Sequence, residues 1–319
     1  MIKTAMLRKV LITSVILLII MLAGLIFNDR EFSTEVLKRQ ELKYIMNNQK
    51  QTVIYLLSDN DYLVKTNVMW VDNPTTIEDK AKQLLSMLSE DNTLIPSGFK
   101  PIIPKKTNII DLKYTSGLLT VNFSKELLKV PAKYEEKMVE AIVYNLTNLV
   151  DVNEVSIYVD GAVLTRLPQT GVYLPAKLNR CFGINKTYDL NTIHDVASVT
   201  LYYVNKTNNN SYYIPITKYL NGKREKIKII IDELSGGPIY ETNLMSFLNS
   251  NAELLNYEQM DNKLILDFNH YIFSDMNDRN ILEEVSYAIA YSIFDNYDVD
   301  EVIFSVDQEI ITTVVKRIE

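Results

Sequence analysis

The sequence predicts an α/β (α+β) protein, in which an N-terminal transmembrane helix precedes two tandem repeats of a small mixed sheet with two helices on one face. Three observations lead to this fold class. An uncharged apolar run lies near the N-terminus, segments of the first half recur in the second, and helical and strand periodicities alternate within each half. The 319 residues suffice for two ordinary domains.

The apolar run extends over residues 10–27 and contains no charged side chain. At about 1.5 Å per residue, a helix of this length spans about 27 Å, enough to cross the hydrocarbon core of a bilayer. Three cations precede the run, and the positive-inside rule places them in the cytoplasm: Lys3, Arg8 and Lys9. We therefore expect a single-pass anchor over residues 1–30, a stalk over residues 31–50, and extracytoplasmic domains after it. A cleaved signal peptide is the alternative, although no small-x-small site follows the run.

Strand-like segments recur at offsets of 145 to 147 residues, which is difficult to produce by chance. The matched pairs are residues 53–57 with 199–203, 119–123 with 264–268, and 153–160 with 300–307. The repeat predicts a first domain over residues 51–165, a loop-rich connector over residues 166–195, and a second domain over residues 196–319.

The repeat also decides an ambiguous segment, residues 226–231, whose β-branched side chains favour a strand by local propensity. The spacing i, i+3, i+4 and i+7 instead marks one helix face, formed by Ile227, Ile230, Ile231 and Leu234. The equivalent stretch of the first copy has the same spacing and follows helix-start signals at residues 74–76: Ala81, Leu84, Leu85 and Leu88. We therefore predict a helix in both copies.

A second helix is predicted in each copy, over residues 134–149 and 280–294. The apolar faces consist of Met138, Ala141, Ile142, Leu146 and Leu149 in the first copy, and of Val285, Ala288, Ile289 and Ile293 in the second. A short strand follows each helix, at residues 155–159 and 302–306. A hairpin of residues 111–114 and 118–123 closes around residues 115–117. The predicted order per copy is β-β-α-β-β-α-β, with the third strand weakest.

Few residues have the chemistry that catalysis or metal binding needs. Cys181 is the only cysteine, so a disulfide or a multi-cysteine site within the chain is excluded. Cys181 and His194 could pair as nucleophile and base, but no motif surrounds them, and we interpret Cys181 as a connector residue. The only other histidine is His270, and neither histidine has a partner at i+4 for helical zinc binding.

The acidic residues that could serve in catalysis or calcium binding are also explained by turns and helix starts. Asp160–Gly161 and Asp307–Gln308 end equivalent strands, where we interpret them as turn residues rather than as an acid–base pair. Three acids near a predicted helix start could bind calcium, but no loop of alternating oxygen ligands is present: Asp275, Asp278 and Glu283. Residues 236–238 are interpreted as a helix stop.

The tyrosines are the one abundant aromatic type, at 20 against a single tryptophan. Four of them cluster on a predicted hairpin: Tyr202, Tyr203, Tyr212 and Tyr213. They could form an interface patch, but strand preference favours a half-exposed sheet face.

The net charge of the chain is −7, and it falls to −10 without the three N-terminal cations. An acidic body excludes nucleic acid as an expected partner, because phosphate binding requires clustered Lys and Arg. We expect no cofactor, no metal and no catalytic residue, and the sequence leaves binding residues unassigned.

Several short motifs resemble the GerMN-domain family. They are Leu88-Ser89, residues 94–98 (Leu-Ile-Pro-Ser-Gly), residues 119–124 and residues 155–161, and the connector stretch 178–185 resembles the segment that joins two such domains. The second copy departs from the pattern: Asn269 replaces the serine matched by Ser124, Gln308 replaces the glycine matched by Gly161, and the Ile-Pro-x-Gly step has no counterpart around residues 242–246.

This resemblance implies a fold similar to ring-building domains and a non-enzymatic role in sporulation. The chain would support an envelope-spanning complex between mother cell and forespore. Its partners would be the membrane, through the N-terminal helix, and other envelope or sporulation proteins, with a homo-oligomer as a further option. The alternative is an extracytoplasmic ligand-binding or sensory module that contacts cell-wall glycan. Open strand edges favour assembly, whereas a pocket of convergent polar side chains favours ligand binding.

Overall fold

A computed structural model of the protein describes residues 51–92, 95–207, 210–236, 244–275 and 279–316. The predicted anchor and stalk, residues 1–50, lie outside this part of the chain. Among the residues that are described, no helix combines the length and the apolar character needed to cross a membrane.

Both copies follow the predicted order of elements. The first contains β1 (Gln51–Ser58), β2 (Leu63–Met69), α1 (Ile77–Met87), β3 (Phe99–Lys100), β4 (Ile109–Thr115), β5 (Leu118–Phe123), α2 (Ala132–Leu146), β6 (Glu154–Val159) and β7 (Ala162–Val163). The connector contains β8 (Thr187–Asp189). The second copy contains β9 (Val196–Thr207), β10 (Asn210–Asn221), α3 (Lys226–Ser235), β11 (Leu254–Met260), β12 (Lys263–Phe268), α4 (Glu283–Asn296), β13 (Glu301–Val306) and β14 (Glu309–Val315). Each copy therefore ends with one strand more than predicted, and the first copy also contains the short strand β3, which was not predicted.

The ambiguous segment is a helix, as the repeat predicts, because α3 begins at Lys226. All eight residues of the two predicted helix faces are buried, since each face packs into the core of its own copy. At the start of α1, the Thr76 hydroxyl accepts a hydrogen bond from the Asp79 backbone N–H at 3.1 Å. This N-cap satisfies one of the free donors of the first helical turn.

Each copy has its own four-stranded mixed sheet, in the order β4-β5-β6-β7 or β11-β12-β13-β14. The two central strands of each sheet are parallel and the outer pairs are antiparallel. The predicted hairpin is confirmed, and Ser116 and Gly117 form its turn with φ values of 47° and 86°. Alternate residues of the central strands are buried beneath the helices: Leu119, Val121, Phe123, Leu264, Leu266 and Phe268.

The prediction of one mixed sheet per copy is wrong for the first two strands. These strands form a hairpin in each copy, and the two hairpins belong to one six-stranded sheet, in the order β3-β1-β2-β10-β8 with β9 also paired to β10. Helix α2 contacts both β1 and β6, so the helix lies between two sheets rather than on one. Its residues from Met138 to Leu146 are accordingly all buried, which is typical of a helix covered on more than one face.

In both copies, the segment after the first helix pairs with the end of the first strand, and in the first copy this segment is the short strand β3. Phe99 and Lys100 pair with the end of β1, and Met245 forms a bridge with Val204 of β9 in the second copy. The Ile-Pro-x-Gly sequence that precedes β3 has no counterpart in the second copy. The backbone pairing is nevertheless kept, because it depends on main-chain groups and not on that motif.

The two mixed sheets differ at one edge, which lies beside β6 in the first copy and beside β13 in the second. In the second copy, the full-length strand β14 pairs with β13. In the first copy, the short strand β7 and the connector fill this position, and Leu178 exchanges two backbone hydrogen bonds with Val155 at 2.7 and 2.8 Å. The connector is therefore part of the first domain's fold.

Candidate functional site

The two copies meet through Tyr55 and Tyr202. The structure aligns these tyrosines at an offset of 147 residues, one more than the sequence match of residues 53–57 with 199–203 indicates. The Tyr55 and Tyr202 hydroxyl oxygens lie 3.1 Å apart. Each tyrosine also donates its backbone N–H, at 2.9 Å, to a polar side chain of the long helix of its own copy: Tyr55 to Asn145, and Tyr202 to Ser292. Equivalent strands β2 and β10 pair antiparallel beside them, at Lys65 and Tyr213. Contact between equivalent surfaces is the pattern of an isologous interface, here within one chain.

The region where the two copies meet, around Tyr55 and Tyr202, is called the joint below. Arg180 of the connector lies at its centre. Its guanidinium donates to an Asp295 carboxylate oxygen at 2.5 Å and to the Asn148 side-chain oxygen at 3.4 Å. Asp295 belongs to the last turn of α4, and Asn148 follows the end of α2. The guanidinium therefore stands at the C-terminal ends of two equivalent helices, where the helix dipoles favour a cation.

Tyrosine rings enclose the same guanidinium. The guanidinium carbon lies 4.9 Å from the ring centroid of Tyr144 and 5.7 Å from that of Tyr55. The Tyr202 hydroxyl donates to the second Asp295 oxygen at 2.8 Å. Arginine, carboxylate and tyrosines are thus joined in one network that combines charge, hydrogen bonds and cation–π contacts.

The protonation states of this network are fixed at neutral pH. Burial raises the pKa of the Tyr55, Tyr144 and Tyr202 hydroxyls. Burial alone would lower the pKa of Arg180, but the neighbouring Asp295 carboxylate and the tyrosines raise it well above its ordinary value. The tyrosines are therefore neutral and the arginine is charged at neutral pH.

A second connector residue, Asn185, ties the two hairpins to each other. Its side-chain NH₂ donates to the backbone oxygens of Leu63 and Pro215, both at 2.8 Å, and its side-chain oxygen accepts from the Leu63 N–H at 2.9 Å. The Asn185 backbone N–H donates to the buried Glu140 carboxylate at 2.9 Å. Burial raises the pKa of that carboxyl. Asn185 has φ of 47°, a conformation that asparagine tolerates better than most residues.

A cleft of about 490 Å³ opens beside Arg180. Strands β1 and β2, the segment after α2 and the connector form one side, whereas α4 and the end of β14 form the other. This volume falls in the range of small-molecule sites. The cleft exists only because the two copies are joined, since residues from both line it.

Open sheet edges are the second candidate surface. Strands β11 and β14 are the outer strands of the second mixed sheet, and β4 is an outer strand of the first. The Tyr114 N–H on β4 donates to the Glu78 side chain at 3.1 Å, which closes part of that edge. Exposed apolar side chains accompany these outer strands: Ile110, Leu255, Met260, Ile310 and Val315.

The structure does not bring Cys181 and His194 together as a hydrogen-bonded pair. Cys181 is exposed at the rim of the cleft, and its backbone N–H donates to Asn179 at 2.9 Å. His194 lies in an exposed loop that Asn221 holds by hydrogen bonds to backbone groups. In the part of the chain that the structure covers, no hydrogen bond joins the two residues.

The turn interpretation of the strand ends is confirmed. Asp160 and Gly161 have φ of 48° and 82°, and Asp307 and Gln308 have φ of 53° and 65°, as turn residues between paired strands. Sequence reasoning missed that a carboxylate oxygen of Asp307 lies 3.0 Å from the His270 Nε2, although both side chains are exposed.

The acids near the start of α4 form no metal site among the residues that are described. Glu283 is the first residue of α4, Asp275 forms a backbone bridge with Asn280, and Asp278 lies outside the described residues. Gly236 follows the end of α3, as a helix stop requires, whereas Gly237 and Pro238 also lie outside.

The four clustered tyrosines are on a hairpin, as predicted. The prediction of a half-exposed sheet face does not hold for all four of them. Tyr202 and Tyr203 are buried, because α3 and α4 cover strand β9. Tyr213 packs edge-on against Tyr291 at 5.1 Å between ring centroids, and Tyr212 packs against Phe99 at 5.5 Å. The cluster therefore serves mainly in internal packing.

Comparisons with known proteins agree with the repeat. The family model described as "Germane: Sporulation and spore germination" matches residues 53–165 and 200–312. The spore germination protein GerM of Bacillus subtilis (strain 168) is 27% identical over 258 residues, which cover 78% of this chain and 69% of that protein. The solved structure of the tandem GerMN domains of the sporulation protein GerM from Bacillus subtilis superposes with a TM-score of 0.76 at 24% identity. It covers 85% of this chain and 98% of that one.

Proposed function

The chain belongs to the Germane family of sporulation and spore germination proteins, and from this premise we propose that it is a non-enzymatic assembly factor. It would support an envelope-spanning complex between mother cell and forespore. Its similarity to GerM supports a role in sporulation or germination. The assembly role is our own step beyond that similarity.

The observation that carries the proposal is the open outer edge of β11. Leu255 and Met260 on this strand are 59% and 49% exposed, and no described strand pairs with its outer side. An unpaired strand offers a row of backbone N–H and C=O groups to an incoming strand, and apolar side chains add contact area. By contrast, the ionisable side chains of the joint already form hydrogen bonds and ion pairs with one another.

Residues 10–27 would anchor the chain with its two domains outside the cytoplasm. The apolar run and the preceding cations support this topology. Protease added to intact protoplasts should then digest the domains. Digestion only after lysis would reject the topology while leaving the assembly role open.

Lysine substitutions at the open edge test the assembly role. The double change Leu255→Lys and Met260→Lys should abolish co-purification of envelope proteins from sporulating cells, because charges on an edge strand oppose strand pairing. The control is Val71→Lys, which adds one lysine at a residue 59% exposed outside the strands, and each single edge variant is compared with it. Thermal unfolding should show that both variants are folded.

Three results would contradict the proposal. The edge variant could keep its partners, the control could lose them equally, or sporulation could proceed normally without the complex. Any of these would show that the edge is not the surface through which the protein acts.

A further inference from the structure

The cleft between the copies has the size and lining of a binding site for a polar ligand. It measures about 490 Å³ and lies between α4 on one side and the β1–β2 hairpin on the other. Ligand sites occur preferentially between domains, where two surfaces converge on one volume. No strand or helix of the described chain fills it.

The charges that line the cleft balance. Three cations face three carboxylates: Lys65, Arg180 and Lys316 against Asp151, Asp295 and Asp300. Arg180 and Asp295 are already paired with each other at 2.5 Å. The cleft therefore offers no excess of either charge to an anion or a cation, which favours a neutral ligand.

Side-chain amides supply the hydrogen-bonding capacity. Four asparagines line the cleft: Asn67, Asn148, Asn153 and Asn179. An amide group donates and accepts at the same time, as a sugar hydroxyl does. The side-chain oxygens of Asn148 and Asn179 already accept from Arg180 and from the Cys181 N–H, so these two residues offer a polyhydroxylated ligand their NH₂ donors. Asn67 is exposed on β2 and makes no side-chain hydrogen bond to the described protein.

Two tyrosines add an aromatic wall. Tyr287 and Tyr291 of α4 line the cleft, with ring centroids 5.4 Å apart. The Lys65 ammonium lies 3.6 Å from the Tyr291 centroid and covers that ring, whereas Tyr287 is partly exposed. A ring with an apolar face and a hydroxyl suits a ligand that has both apolar C–H faces and hydroxyl groups.

We propose that this cleft binds a short segment of a neutral glycan chain. The inference goes beyond the assembly role and does not rest on it, because the cleft and the open β11 edge are separate surfaces. A peptide is the main competing ligand, and the test includes it.

Cys181 provides the measurement, because it is the only thiol of the chain and lies exposed at the rim of the cleft. The full-length protein in mild detergent would be treated with a thiol-reactive reagent, with and without chitotetraose. At ten times its Kd, the oligosaccharide should slow the modification about tenfold by mass action. Isothermal titration calorimetry gives the affinity independently of the thiol.

Matched asparagine variants localise the site. Asn67→Ala should weaken chitotetraose binding about fivefold through the loss of one hydrogen bond. Asn256→Ala removes another exposed strand asparagine, on β11 outside the cleft, and should leave binding unchanged. Both changes are on the surface, so both variants should stay folded.

The inference is overturned by any of three results. Chitotetraose could fail to bind or to protect Cys181 at its solubility limit. A tetra-alanine peptide could protect Cys181 as well as the sugar does, which would assign the cleft to peptides. Finally, Asn256→Ala could weaken binding as much as Asn67→Ala.

Discussion

The Tyr55 hydroxyl lies 3.1 Å from the Tyr202 hydroxyl, so the equivalent residue of each repeat touches its counterpart. Both side chains are buried, at 1% and 0% exposure. The contact is one of those that join the two copies, together with the hydrogen bonds of Asn185 and the pairing of β2 with β10. Its energy can be measured directly.

Tyr202→Phe should destabilise the protein more than Tyr55→Phe does. The Tyr202 hydroxyl also donates to Asp295, so its removal should cost about 2 kcal/mol, as expected for a hydrogen bond to a charged group. Tyr55→Phe should cost about 1 kcal/mol. Urea unfolding of both single variants and the double variant gives the coupling free energy. Additive effects would show that the hydroxyls do not interact, and Tyr173→Phe, 76% exposed, should change nothing.

Arg180→Met should cost about 3 kcal/mol of unfolding free energy. The change leaves Asp295, whose side chain is 9% exposed, without its cationic partner. The control is Arg224→Met, which breaks an ion pair with Asp232 that is 55% and 62% exposed and should cost at most about 1 kcal/mol. The second change Asp295→Leu should recover most of the loss. Equal effects of the two arginine variants would contradict the role of Arg180 as a partly buried anchor, with its side chain 25% exposed.

Asp61 should make stability depend on pH in the acid range. Hydrogen bonds from Lys100, and then from Tyr134 and Lys133, lower the pKa of Asp61 from 3.8 to about 2. Because the folded-state pKa is the lower one, this stabilisation is complete above about pH 4 and is lost as the pH falls towards 2.

The measurement is the melting temperature between pH 6 and about 2, a range set by that pKa window. Asp61→Asn should lower the melting temperature at pH 6 and flatten its decline in acid. Asparagine also tolerates the φ of 64° at this position, so the backbone should not change. Asp111→Asn removes an exposed carboxylate of β4 and should keep the wild-type profile. Identical profiles for wild type and Asp61→Asn would refute the effect.

Alanine at Cys181, His194 or His270 should leave sporulation intact. The first two side chains are exposed, and His270 loses only an exposed contact with Asp307, so each change should cost less than about 1 kcal/mol. Spore counts and germination rates of the three strains check this. A folded and correctly located Cys181→Ala or His194→Ala protein that fails in function would require catalysis to be reconsidered.

The helix at residues 226–235 illustrates what periodicity can predict. Its β-branched composition favours a strand, yet the spacing of Ile227, Ile230, Ile231 and Leu234 predicts a buried helix face, and all four are buried. Burial of a continuous apolar face stabilises a helix by more than the small difference in intrinsic propensity between helix and strand. The repeat made this signal stronger, because the first copy shows the same spacing with better helix formers.

The periodicity of apolar residues did not predict which strands belong to which sheet. Alternation along β1 and β9 indicates which side chains are buried, but it does not identify the neighbouring strand. The unbroken burial of Met138–Leu146 in α2 reflects the second sheet that covers it. Those residues include Glu140 and Asn145, whose polarity concealed the two-sided packing in the sequence.

By itself, the sequence determined the duplication, the identity and order of the main elements, and the lack of catalytic or metal-binding motifs, because these depend on local spacing and residue type. Only the tertiary structure decided the joint and the cleft. Arg180 and Asp295 are 115 positions apart, and Asn185 and Leu63 are 122 apart. No local pattern records such pairs. They are selected by burial, where a polar group without a partner is costly and only the folded chain supplies one.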